Sequence, residues 1–202
     1  MGAHISDCPN HTVGRITPFE TRGYVALAGT FGYELDITAI SQEDRDRIPG
    51  QVKMYHKYNS LIRTGDYYRI SSYRENGYND CWMVVSQEKS RALITYIKVM
   101  SRPNNRSVLI KPQGLDPDAE YRITCDKRVL GIEYPSIRPF SFDDLSGEAV
   151  AETPESEVLN VSRGFILHGD TIMNAGLLIN EDSPDMNGDF KGVLIELEIL
   201  WG

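Results

Sequence analysis

The first 36 residues, MGAHISDCPNHTVGRITPFETRGYVALAGTFGYELD, constrain the fold of this chain more than any other stretch. A strand-like start ends at His4-Ile5, and a polar loop runs through Asp7, Cys8, Pro9, Asn10 and His11. The pattern then predicts a helix from about Pro18 and a second short strand, from about Thr30, ending in Tyr33-Glu34. Strand, long polar loop, helix, strand is the repeating unit of a parallel α/β barrel. A closed barrel takes about eight such units and this chain has room for about two. The stretch therefore reads as the late part of a barrel whose beginning is missing.

Helix signals continue the pattern. Thr17 is placed to cap the first helix, Pro18 suits its first position, Glu20 completes a capping box, and Gly29 marks the stop. Ser41-Gln42-Glu43-Asp44 opens a longer segment that runs to about Thr64. Ile48, Val52, Tyr55 and Ile62 lie along one face of it, with Met54, Tyr58 and Leu61 beside them. Pro49 predicts a break or restart inside the segment. The stripe suits barrel strands that the chain lacks, so it is expected to fold onto the chain's own sheet or to self-associate.

From Gly65 the periodicity changes. DYYRISS, CWMVVSQ, RALITYIKVM, VLIK, AEYRITC and the closing GVLIELEIL are short runs rich in Tyr, Val, Ile and Thr, divided by Gly, Pro and Asn turns. Leu93, Thr95, Ile97 and Val99 alternate onto one face. Regularly spaced antiparallel strands predict a β-sandwich. The fold class is thus α+β overall: the last units of a (β/α)8 barrel over residues 1–65, then an antiparallel β-sandwich over residues 66–202. The acidic run from Gly147 to Glu157 reads as a mobile loop.

The formal net charge of −8 argues against nucleic acid as a partner, because phosphate binding needs concentrated Lys and Arg. No stretch has the length and apolarity of a membrane span. Cys8, Cys81 and Cys125 are odd in number and far apart, which disfavours a disulfide framework and favours a reduced, cytoplasmic protein. The acceptor patterns at Asn10, Asn105 and Asn160, and the myristoylation pattern at Met1-Gly2, are taken as chance because no export signal accompanies them.

Asp7, Glu34 and Asp36 fall at or near barrel strand ends, where barrel proteins keep catalytic groups, but as loop and supporting polar residues they need no such role. His4, Asp7, Cys8 and His11 have the chemistry of zinc ligands, yet Pro9 stiffens their loop and no further ligand cluster joins them, so no metal is expected. Nothing near Cys8 lowers its pKa enough to make a nucleophile. There is no Gly-rich phosphate loop with a lysine, and no cofactor is expected. Tyr67, Tyr68, Tyr73, Tyr78 and Trp82 can stack on sugar rings, but core or interface packing is the preferred reading.

Several ordered segments carry a resemblance: MGAHISDCPNH, GRITPFETRGYVALAGTFGYELD, YNSLIRTGDYYRI, CWMVVS, RALITYIKVMSRPN, GLDPDAEYRI and GDTIMNAGLLI. Together they resemble the late barrel and C-terminal β-sandwich of bacterial α-galactosidases of glycoside hydrolase family 36, failing mainly across residues 127–165. The resemblance implies a retaining hydrolase that releases terminal α-galactose from raffinose- or melibiose-type sugars. It further implies an aspartate nucleophile in a motif like KWDMNR and an acid/base aspartate in a motif like WTSD, both earlier in the family's barrel. Neither string occurs here, and Ser6-Asp7 has no preceding tryptophan and matches the following strand's loop, so Asp7 is not the acid/base. A retaining mechanism needs both carboxylates. The chain therefore carries no catalytic residue and is expected to be an inactive C-terminal fragment or truncated product by itself. The resemblance places Asn10 and His11 at the mouth of the galactose pocket, and it implies a homo-oligomer. The alternative is a non-catalytic carbohydrate-binding or oligomerisation sandwich module.

Overall fold

The computed structural model describes residues 2–104, 107–125, 129–130 and 165–200. The expected loop at Gly147–Glu157 and the acceptor patterns at Asn105 and Asn160 lie outside them. Among the described residues, no helix is long and apolar enough to cross a membrane.

The chain opens with β1 (Ile5–Ser6), α1 (Phe19–Ala26) and β2 (Tyr33–Glu34), the two strands pairing in parallel as the loop–helix–strand order predicted. Ile5, Phe19 and Ala26 form a small core between them, closed by Phe31, Tyr33 and Leu35. The capping box at Thr17 and Glu20 does not form. Helix α1 starts one residue later than that box requires, with Pro18 as its cap residue and no side-chain cap bond. The Thr17 carbonyl is used instead by Arg22, whose Nε donates to it at 3.1 Å.

Helix α2 (Gln42–Thr64) begins as expected, with the Ser41 hydroxyl accepting from the Asp44 amide at 3.1 Å. It does not break at Pro49. That residue is exposed, and the helix continues through it from Gln42 to Thr64. After Gly65 come β3 (Asp66–Ser71), the single turn α3 (Tyr73–Asn76), β4 (Asn79–Val85), β5 (Arg91–Lys98), β6 (Ser107–Ile110), β7 (Glu120–Cys125) and β8 (Phe165–His168). Helix α4 (Gly169–Asn174), β9 (Leu177–Asn180) and β10 (Lys191–Ile199) follow.

Six strands make one antiparallel sheet in the order β3-β4-β5-β10-β7-β8, and β6 pairs with β9 in a second, smaller sheet. Val108, Ile110, Leu177 and Ile179 of the small sheet pack on Met83, Ile94, Tyr96, Ile123 and Ile195 of the large one. The opposite face is also covered. Tyr24 and Leu27 of α1, with Tyr58 and Leu61 of α2, pack on Val84, Leu93, Ile97 and Leu194. The expected alternation in β5 is present, yet both of its faces are buried, Leu93 and Ile97 under the helices and Ile94 and Tyr96 in the sandwich.

The apolar stripe of α2 thus folds onto the chain's own sheet, most deeply through Tyr58 and Leu61. Of the expected row, Tyr55 and Ile62 pack beside them, Ile48 packs on the small core of β1, α1 and β2, and all four members, Val52 included, are only partly buried. Gly192 lets α1 approach β10 closely, since a Cβ there would stand 2.8 Å from both the Tyr24 ring and Ile97. Gly23 does the same for α2. A Cβ at Gly23 would lie 2.4 Å from Gln51, whose buried amide donates to the Phe19 carbonyl at 3.1 Å and accepts from the Tyr33 hydroxyl at 2.9 Å.

Glu196 on β10 is the polar centre of this interface. It accepts from Lys57, from Arg91 at 2.8 Å and from the Tyr58 hydroxyl at 3.2 Å. Burial alone would raise its pKa, but the hydrogen bonds and positive charges of Lys57 and Arg91 outweigh burial and hold the carboxyl below its ordinary value. Burial, together with the Glu196 charge, pushes the Tyr58 hydroxyl up to about 12.

Because the folded pKa of Glu196 is depressed, its contribution is present above the unfolded value, about 4.3, and is lost as pH falls through the folded one. Glu196→Gln should lower stability at neutral pH by about 1–2 kcal/mol, discounted for the partly exposed cations. Thermal melts should show the variant and parent converging towards pH 3, and a constant gap between them at all pH values would contradict this account. Leu61→Ala should cost about 2–4 kcal/mol in urea unfolding, whereas Val52→Lys should cost about 1 kcal/mol or less. A larger loss for Val52→Lys would mean that the face of α2 has been misassigned.

Candidate functional site

The loop between β1 and α1, residues 7–16, leaves the C-terminal end of a parallel strand, the position from which barrel proteins build their sites. One guanidinium closes its base. Arg22 donates to the Ser6 carbonyl at the loop's start and to the Thr17 carbonyl at its end, and its guanidinium lies 5.1 Å from the centroid of the Phe19 ring. The tip is closed by Asn10. Its amide donates to the Arg15 carbonyl at 2.9 Å, and its Oδ1 accepts the Thr12 and Val13 amides, each at 3.1 Å. Gly14 completes the turn with φ 65° and donates to the Asn10 carbonyl at 2.8 Å.

The carbonyl end of the Asn10 side chain is therefore committed to the turn, while its NH2 end remains a donor. His11 is exposed beside it. An amide donor and an imidazole at the rim of one rigid turn suit hydrogen bonding to the hydroxyls of a polar ligand. They supply neither an acid nor a nucleophile.

The other predicted candidates lie on and beside the paired strands. Glu34 pairs with His4 across the two strands at 2.9 Å. Asp36 accepts from the Thr38 hydroxyl at 2.6 Å and its amide at 2.8 Å, and these bonds, the hydroxyl's first, hold its pKa below the ordinary value. Asp7 is exposed, and the Cys8 thiol points to the Thr17 carbonyl at 3.7 Å. Among the described residues no three His, Cys, Asp or Glu side chains are grouped as a metal site would need, and His4, Asp7, Cys8 and His11 do not converge.

The aromatic row divides between the faces of the sheet. Tyr68 and Tyr78 pack against the sandwich core, whereas Trp82 packs on the helix side. Tyr67 and Tyr73 are exposed, at 56% and 37%, but with Tyr68 and Trp82 on opposite faces the group forms no single sugar platform. A cleft of about 440 Å³ lies between α2 and β7–β10, bordered by Lys53, Met54, Thr124, Cys125 and Leu194. Its acid and base, Glu196 and Lys57, already satisfy each other. Sequence reasoning missed Arg22 and Glu196. Arg22 acts on backbone carbonyls at both ends of the loop, and Glu196 acts through side chains distant in the chain, contacts that the sequence does not show.

Two family models match. The one described as glycosyl hydrolase family 36 C-terminal domain covers residues 79–197, and the one described as melibiase covers residues 1–65. The bifunctional alpha-galactosidase/sucrose kinase AgaSK of Mediterraneibacter gnavus is 44% identical over 124 residues, which is 60% of this chain and 13% of the relative. Alpha-galactosidase AgaA of Geobacillus stearothermophilus is 41% identical over 61% of this chain and 17% of its own length. This chain thus spans less than a fifth of either relative. An AgaA variant solved in complex with raffinose superposes with a TM-score of 0.73 at 30% identity, covering 99% of this chain and 22% of the other. The alpha-galactosidase from Lactobacillus brevis gives 0.74 at 29% identity, over 100% of this chain and 23% of that one. With a family model matched across more than half its length and the same arrangement of helices on an antiparallel sheet, the chain belongs to glycosyl hydrolase family 36.

Proposed function

We propose that this chain forms the end of the catalytic barrel, over residues 1–65, and the C-terminal sandwich, over residues 66–202, of an α-galactosidase. The activity is the retaining release of terminal α-galactose from raffinose- and melibiose-type sugars. The observation that carries this reading is the junction itself. A parallel β-α-β unit is docked by α1 and α2 on an antiparallel sheet, and the two parts match the melibiase model and the family 36 C-terminal model in turn. Relatives named alpha-galactosidases, among them AgaA, variants of which were solved with raffinose and with stachyose, support the substrate class.

In this reading Asn10 and His11 border the galactose pocket and bind or orient hydroxyls. The reaction needs two carboxylates about 5–5.5 Å apart, one attacking the anomeric carbon while the other protonates the leaving oxygen. Neither expected motif is in these residues, and Glu34 and Asp36 are engaged locally, by His4 and by Thr38. We further propose a cytoplasmic location and a homo-oligomer. The partly exposed row of Ile48, Val52, Tyr55 and Ile62 gives the second proposal a surface.

Nitrophenol release from an aryl α-galactoside tests the reading. The purified chain should give no turnover above a matched blank, and coexpression with a polypeptide carrying the earlier barrel motifs should restore it. Turnover by the chain alone, abolished by Asp7→Asn, would make Asp7 catalytic and overturn the assignment.

A further inference from the structure

The connection from β9 to β10, residues 181–190, is held unusually firmly for a surface turn. Lys98, only 3% exposed, donates its ammonium protons to the Met186 carbonyl and, at 3.5 Å, to the Glu181 carbonyl. The buried Tyr96 hydroxyl donates to the Glu181 carboxylate and accepts from the Asn79 amide at 3.1 Å. Further along, the Asp189 carboxylate accepts the Ser101 amide at 2.7 Å, and the Phe190 amide donates to the Val99 carbonyl at 3.4 Å. The turn is thereby fastened at both ends to β5 and the residues that follow it.

This fastening forces an uncommon backbone. Phe190 has φ 54°, in the left-handed region that a bulky aromatic residue rarely enters. Such a conformation persists only where the surroundings over-determine it, and it often accompanies a functional constraint. Its effect here is to set the ring against another part of the molecule. The Arg15 guanidinium lies over the Phe190 ring, 5.4 Å from its centroid. Arg15 is the residue whose carbonyl closes the Asn10 turn. Arg22 fixes the base of that loop, and Phe190 reaches its tip.

We propose that Phe190 is a positioning residue for the Asn10–His11 loop, acting through Arg15, so that the sandwich sets the geometry of a barrel loop. What this does for catalysis rests on the reading that the loop borders the galactose pocket. The strut itself does not rest on that reading.

Hydrogen exchange of the full chain, read by mass spectrometry in peptides covering residues 9–17, tests the strut. Phe190→Ala and, from the other side, Arg15→Met should each speed exchange in this loop about two- to fivefold, the size of an exposed cation–π contact. Phe190→Tyr keeps the ring and should retain the parental rate. Unchanged loop exchange in both loss variants would overturn the proposal. So would a Tyr variant as fast as the Ala variant, or an acceleration shared equally by β4 and β5. In the complete enzyme Phe190→Ala should raise KM for an aryl α-galactoside more than it lowers kcat. Faster loop exchange with both constants unchanged would uphold the strut and instead contradict the loop's place at the pocket.

Discussion

Strand β10 is buried on both faces, and the rest of the structure is arranged around that demand. Val193, Ile195 and Leu197 point into the sandwich, while Leu194 and Glu196 point to the helices. Neither face can be left to water, because each exposed large aliphatic side chain would forfeit about 1.5–3 kcal/mol. Covering the second face requires α1 and α2, so the parallel β-α-β unit is part of the sandwich's own core. Gly192 permits the close approach of α1, and Glu196 fixes where α2 lands. A buried carboxylate is costly unless it is paired and hydrogen-bonded, and Lys57, Arg91 and Tyr58 between them meet that requirement.

Much of this was legible in the sequence because it depends on local chemistry. The alternating runs became β3, β4, β5, β7 and β10, the Ser41 cap started α2, and the order strand, loop, helix, strand produced a parallel pair. Misreadings arose where distant packing decides. Pro49 reads as a breaker by its missing amide, yet it sits exposed inside the continuous helix α2. The sequence does not single out Glu196, because its partners lie 139 and 105 residues away. The stripe on α2 is broad, and packing on the sheet buries Tyr58 and Leu61 while Met54, Tyr55 and Ile62 are only partly buried beside them.

The candidate site shows the same division. That residues 7–16 form a polar loop at a strand end follows from sequence order. That Asn10 spends its carbonyl oxygen on the turn, that one guanidinium clamps the base and that an aromatic ring from the sandwich meets the tip are all tertiary facts. They hold the two ends and the turn of this loop by contacts that no local pattern announces.

Native-state hydrogen exchange of the amides from Tyr58 to Ile62 in α2, compared with those of β4 and β5, bears most directly on the claim that helices and sheet share one core. Exchange of all three segments with the same free energy of opening, falling together on Glu196→Gln, is the expected result. Exchange of α2 through a separate opening about 3 kcal/mol lower, while β4 and β5 keep full protection, would contradict it.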